Sequence, residues 1–249
     1  MKYRLLTHVG NVRKNNEDAC VAIPDLGLFA VADGLGGQSA GEIASNLAIE
    51  TLAQHVQEGG SLVSAIIKAD RAIVRAQSQP GCSGMATTVV ACQVSPQDGR
   101  MHVAWVGDSR AYKLSRPRAG QPGRFCVLSE DHTPVQELVR KGEVSWEYSR
   151  LHPQANLVSQ ALGAPGPDGE VVVSEVYGFL DPGDRVLLCS DGLSGLLEDQ
   201  EIHALLGLPT VDEAAAALVQ EALDAGGHDN VTVAVLECGR LSALLMGEE

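Results

Sequence analysis

No stretch of this 249-residue chain approaches the roughly 18 uninterrupted apolar residues of a membrane-spanning helix. Its N-terminal segment MKYRLLTHVGNVRKNNED carries no apolar core of signal-peptide length. Both absences predict a soluble, cytoplasmic protein with no membrane partner. Positive charge is scarce: 18 Lys and Arg stand against 32 Asp and Glu, a net charge of −14. That balance argues against a sequence-independent nucleic-acid binder and against a polybasic membrane-surface protein, while an acidic enzyme that binds divalent cations remains compatible with it. The six cysteines, Cys20, Cys82, Cys92, Cys126, Cys189 and Cys238, form no CxxC pair and have no histidine at zinc spacing. Cys20, Cys92 and Cys189 fall in or beside apolar runs, where a reduced thiol behaves as a small hydrophobe. No internal repeat is present, which excludes solenoids and propellers.

What the chain does have is 45% apolar residues, enough for a full-sized core. Its length suits one domain over 1–240 with a C-terminal tail at 241–249. Strand-like runs are Tyr3 to His8, Ala19 to Ile23, Gly27 to Ala32, Thr88 to Val94, His102 to Val106, Ala111 to Leu114, Phe125 to Leu128, Val171 to Val176, Arg185 to Cys189 and Val231 to Glu237. Brief turn signals at Pro24 to Gly27, Pro96 to Gly99 and Gly107 to Ser109 favour antiparallel hairpins over parallel crossovers. Helical periodicity covers Ala40 to Gln57, Leu62 to Gln77, Asp199 to Leu206 and Val211 to Ala225. In the first, Ile43, Leu47, Leu52 and Val56 mark the apolar face, with Ser39 as N-cap and Glu42 completing a capping box. Each helical pair has one apolar face that must cover a sheet. The predicted fold is therefore α+β, two packed and mainly antiparallel β-sheets flanked by helical pairs, an α-β-β-α sandwich. The Pro-rich stretch 133–167, with short helical turns at Val135 to Lys141 and Ser145 to Arg150, reads as a surface excursion.

The chemically informative pattern is an aspartate at the edge of an apolar strand, and it occurs four times. Asp33 follows LFAVA, Asp108 follows AWVG, Asp191 follows VLLCS and Asp229 precedes VTVAV. Carboxylates converging from strand ends repel one another, so their convergence calls for cations, and hard divalent ions take oxygen ligands. Gly34 and Gly192 follow two of these aspartates and let backbone approach a ligand closely, while Asn230 after Asp229 can orient the loop.

The strings GNVRKNNED (Gly10 to Asp18), VADGLGG (Val31 to Gly37), GMATTVV (Gly84 to Val90), VGDSRAY (Val106 to Tyr112), LLCSDGL (Leu187 to Leu193) and GGHDNVT (Gly226 to Thr232) occur in one order. In that order and over nearly its whole length, the chain resembles short bacterial members of the metal-dependent protein phosphatase 2C family. The resemblance implies a phosphoserine/phosphothreonine protein phosphatase that uses two Mn2+ or Mg2+ ions and opposes a Ser/Thr kinase, acting as a monomer on phosphorylated proteins. It implies that Asp33 bridges the two ions, that the Gly34 carbonyl binds one of them, and that Asp191 and Asp229 complete the set. Asp108 resembles the ligand of a third, weaker ion shared with Asp191. Asp18 resembles the acidic residue that holds metal-bound water, with Glu17 beside it, and Arg13 resembles the phosphate-binding arginine. Physical chemistry agrees: a bound metal lowers the pKa of its water from about 15.7 toward 7, so no protein nucleophile is needed. The planar fork of Arg13 suits phosphate oxygens.

The pattern departs from relatives at two points. Leu35 stands where many eukaryotic members have a histidine proposed as general acid, leaving His132 and His228 as unproven substitutes. Ala86 replaces a common glycine. The 133–167 excursion resembles a flap that varies among bacterial members and bears on substrate choice. Rival readings fail on detail. A dinucleotide fold would turn Asp33 toward the pyrophosphate, Gly192-Leu193-Ser194-Gly195 lacks the spacing of a nucleophile elbow, and Leu35 stands where an aspartyl-nucleophile DxDx string would have its second aspartate. A catalytically silent binding module would be expected to have lost ligand aspartates that are all present here.

Overall fold

The computed structural model describes residues 1–36, 40–118, 122–149, 152–155, 157–164 and 169–239. The proposed Ser39 cap, Pro165 and Pro167 of the excursion, and the tail at 241–249 lie outside the described residues. In chain order the elements are β1 (Lys2–His8), β2 (Asp18–Ile23), β3 (Leu28–Leu35), α1 (Ala40–Gln57), α2 (Leu62–Ala76), β4 (Ala86–Thr87), β5 (Val89–Val94), β6 (Arg100–Val106), β7 (Arg110–Ser115) and β8 (Arg124–Val127). There follow α3 (Pro134–Arg140), α4 (Trp146–Ser149), β9 (Ser174–Phe179), β10 (Arg185–Cys189), α5 (Asp191–Ser194), α6 (Asp199–Leu206), α7 (Val211–Asp224) and β11 (Val231–Glu237).

One sheet runs β1-β11-β10-β7-β8 and the other β2-β3-β5-β6-β9, with β4 paired to the end of β3. All pairings are antiparallel. The period-two rule explains how two sheets make three apolar layers. Along β3, Leu28, Ala30 and Ala32 face α1 and α2, while Phe29 and Val31 face the other sheet and meet Val186 and Leu188 of β10 and Ala234 and Leu236 of β11. Leu187 and Cys189 point the opposite way, onto α6 and α7. The α-β-β-α sandwich expected from the sequence is thus the observed fold. Among the described residues no helix is long and apolar enough to cross a membrane.

Three local expectations are corrected. The strand expected at Val171 to Val176 begins at Ser174, opposite Trp105; upstream of it the Gln160 side chain takes both backbone groups of Val172, at 2.9 and 3.0 Å. Ile43 is 43% exposed, and the buried face of α1 runs instead through Ala44, Ala48, Ile49, Leu52 and Val56, because small residues let the helix lie close to β3. The Gly107 to Ser109 turn does not close a hairpin: β6 and β7 belong to different sheets, and the chain crosses between them here. Gly107 has φ +105°, and a Cβ on it would lie 2.6 Å from the Thr88 Cβ, so glycine is required at the crossing. Asp191 opens the short helix α5.

Candidate metal centre

The topology gathers one end of each sheet. Asp18 opens β2 and stands directly across from Asp33 near the end of β3. Asp191 follows β10, Asp229 precedes β11, and Asp108 lies in the crossing from β6 to β7. Hydroxyl groups fix these positions. Thr88 Oγ1 accepts from the Asp33 N–H at 3.2 Å and lies 2.7 Å from Ser109 Oγ, tying β3 to the residue after Asp108. Thr87 Oγ1 donates to the Asp33 carbonyl at 2.8 Å, and β4 is regular at Ala86, which pairs with Leu35. Across the sheets, Ser190 Oγ donates to Asp18 Oδ2 at 2.8 Å while accepting from the Thr232 N–H at 2.9 Å. A Cβ at Gly192 would lie 1.9 Å from the Asn230 carbonyl oxygen, so α5 rests on the Asp229-Asn230 backbone.

Crowding like charges has the expected electrostatic result. Burial, opposed by hydrogen bonds from Thr232 and Ser190 and reinforced by the charges of Asp191 and Asp229, pushes Asp18 up to about 7. Burial and the charges of Asp191 and Asp131 push Asp108 up to about 7 as well. Desolvation raises Asp33 well above the carboxylate range, with Asp191, Asp18 and Asp108 adding repulsion, and Asp33 and Asp191 share a hydrogen bond.

Arg13 and Asp229 meet differently, as an ion pair at 2.7 Å with both side chains partly exposed. Asp229 is thereby turned toward Arg13, and among the described residues no three acidic, histidine or cysteine side chains close on a common point. The donor set nevertheless suits hard divalent cations. Asp18 Oδ1 is buried without a hydrogen-bond partner, a costly arrangement that a cation would relieve. The Gly34 position is a cradle: a Cβ there would lie 2.3 Å from the Gly41 carbonyl oxygen and 2.6 Å from that of Glu17.

The sequence did not single out several groups that build the site. Thr88, Ser109 and Ser190 lie inside the motifs but act across chain distances that no spacing reveals. Asn230 does more than orient its own loop. Its side chain donates to the carbonyls of Val9 and Asn15, both at 2.9 Å, and accepts from the Glu17 N–H at 2.8 Å, clamping the segment that carries Arg13. Asn230→Ala leaves three partners unsatisfied and is expected to cost about 2 kcal/mol in urea unfolding and to raise KM more than it lowers kcat. An unchanged KM would show that the clamp does not set Arg13. His132 is structural: its Nδ1 accepts from the Gly107 N–H at 3.1 Å and its Nε2 lies 2.9 Å from Ser174 Oγ, and burial lowers its pKa. His228 is exposed. All six cysteines are free; Cys92 and Cys189 are fully buried, and burial pushes both thiols up to about 12.

Known proteins resemble this chain along most of its length. The model of the family described as Protein phosphatase 2C matches residues 5–140. The serine/threonine protein phosphatase PstP of Mycobacterium tuberculosis is 37% identical over 245 residues, covering 95% of this chain. The chain spans 45% of the length of PstP, about half. The serine/threonine phosphatase stp of Listeria monocytogenes is 34% identical over 246 residues, 93% of each chain. Among solved structures, that of the Mycobacterium tuberculosis phosphatase PstP/Ppp superposes with a TM-score of 0.84 at 37% identity, covering 96% of this chain and 99% of that one. The PstP catalytic domain in complex with two manganese ions superposes with a TM-score of 0.82 at 36% identity, covering 96% and 98%. With the ordered motifs, the two-sheet sandwich and the gathered aspartates all in agreement, the chain belongs to the protein phosphatase 2C family.

Proposed function

We propose that this chain is a metal-dependent protein phosphatase that hydrolyses phosphoserine and phosphothreonine in phosphorylated proteins, opposing a Ser/Thr kinase, as a cytoplasmic monomer whose catalytic unit spans 1–240. The observation that carries this reading is the gathering of Asp18, Asp33, Asp108 and Asp191 from both sheets, with their carboxyl groups driven toward protonation by one another and by burial. Asp33, the Gly34 carbonyl, Asp191 and Asp229 would hold two Mn2+ or Mg2+ ions, with Asp108 serving a third and Asp18 orienting water. When bound, the ions supply Lewis acidity that activates water and offsets charge on the phosphoryl oxygens.

The chain's own residues account for the rest. Arg13 spends one nitrogen on Asp229, and its planar guanidinium has further N–H donors for phosphate oxygens. Its positive charge partly offsets the repulsion that a phosphate meets on an acidic protein. Asn230 fixes the height of the Arg13 segment over the carboxylates. With Leu35 in place of a histidine and both ring nitrogens of His132 engaged, neither residue serves as the leaving-group acid.

The direct test is p-nitrophenyl phosphate turnover in Mn2+ and in EDTA. Metal-dependent turnover is expected, and its absence in folded protein would replace the enzyme reading with a phosphoprotein-binding module. Arg13→Ala is expected to raise KM about tenfold with a smaller change in kcat. A fall in kcat alone, at constant KM, would remove Arg13 from substrate binding.

A further inference from the structure

A cavity of about 80 Å³ opens beside the carboxylates. Asp108 and Asp191 line it together with Arg110, Asp131, and Trp146 and Ser149 of α4. Arg110, the first residue of β7, is 9% exposed. Its Nε lies 2.9 Å from Asp131 Oδ1 and its Nη2 2.6 Å from Oδ2, a bidentate pair that fixes the guanidinium plane. The guanidinium carbon stands 5.3 Å from the centre of the Trp146 ring. Helix α4 is a single turn, too short to be stable by its own hydrogen bonds. Its place must come from packing, yet Trp146 is 40% exposed. A large indole is therefore held at the surface, facing the site, against a cation that the sheet itself fixes.

We propose that Arg110 is a positioning residue that holds Trp146 as the outer wall of a subsite for the polypeptide flanking the phosphorylated residue. The proposal rests on the phosphatase reading and adds where the rest of the substrate lies. A small phosphate ester carries no flanking polypeptide to lay against Trp146. A polypeptide continues past the phosphorylated residue, and the cavity lined by Asp108, Asp191 and Trp146 adjoins the carboxylates where that residue would sit. Rigid aromatic walls of this kind contribute disproportionately to peptide binding.

The test compares Trp146→Ala, Trp146→Phe and Arg110→Lys. The probes are a fluorescein-labelled phosphothreonine peptide, its non-hydrolysable phosphonate analogue for anisotropy, and p-nitrophenyl phosphate. Trp146→Ala should weaken phosphonate-peptide binding and raise peptide KM about tenfold, while peptide kcat and p-nitrophenyl phosphate kinetics stay within about twofold. Trp146→Phe, which keeps an aromatic face for the guanidinium, should restore peptide binding to within about threefold of wild type. Arg110→Lys loses the planar fork; it should reproduce the peptide-selective loss and shift the Trp146 emission, read as the difference between paired spectra with and without Trp146→Phe. If Arg110→Lys does not fold, the two Trp146 variants decide alone. Unchanged peptide binding in Trp146→Ala, or equal losses on peptide and p-nitrophenyl phosphate, would overturn the proposal. Should wild-type protein turn over neither substrate in Mn2+, the catalytic reading fails, and the anisotropy titration still decides whether Trp146 walls a phosphopeptide site.

Discussion

Asp191→Ala and Asp33→Asn are each expected to reduce p-nitrophenyl phosphate turnover in saturating Mn2+ to background, a loss of roughly 10³-fold or more. The argument is positional. Asp191 opens α5 directly after β10, and α5 rests on the Asp229-Asn230 backbone. Asp33 lies in β3 with its own backbone clamped by Thr87 and Thr88. Each carboxylate is presented by a rigid sheet, so no neighbour can swing in to replace it. The same geometry predicts that the loss is not one of folding. Asp33→Asn preserves volume, keeps a hydrogen-bonding partner for Asp191, and removes one of four mutually repelling acids. Calorimetry in EDTA at pH 8 should therefore give a Tm for Asp33→Asn at or above that of wild type. Near-normal turnover after loss of Asp191 would contradict the site assignment, and a large fall in Tm would make the residue structural instead.

Much of this arrangement was legible because it is written locally. An aspartate at the edge of an apolar run marks a strand end, and the helix bounds at Ala40–Gln57 and Asp199–Leu206 follow from periodicity and turn residues. The alternation along β3 and β10 that splits their side chains between two layers is likewise a property of consecutive residues. What escaped is what the third dimension supplies. Ser190 and Asp18 are 172 positions apart, and Arg13 and Asp229 are 216 apart; neither pairing leaves a periodicity to read. The crossing at Gly107 looks like any tight turn until β6 and β7 are known to belong to different sheets. The face of α1 was misjudged at Ile43 because hydrophobicity favours large residues, whereas close approach to β3 favours Ala44 and Ala48. Trp146 carried no signal at all, since its partner Arg110 is defined by a sheet that starts far upstream.

Metal binding should change stability in a way that depends on pH, with a sign set by the raised carboxyl groups. Unfolded aspartates titrate near 3.9, whereas folded Asp18 and Asp108 titrate at about 7 and Asp33 and Asp191 are also raised. Between about pH 4 and 7 the metal-free folded chain keeps protons that the unfolded chain gives up. Stability from these groups is therefore fully present below about pH 4 and lost as pH rises through 7. Cations bind the ionised carboxylates and so compete with those protons. At pH 5.5 millimolar Mn2+ should barely move Tm, because protonation already relieves the repulsion. At pH 8 it should raise Tm by roughly 10 °C, with protons released on binding at intermediate pH. Asp33→Asn should lose most of that rise without losing stability in EDTA. A Tm shift of equal size at both pH values would mean that the ion binds elsewhere on this acidic surface, and the gathered aspartates would then need another explanation.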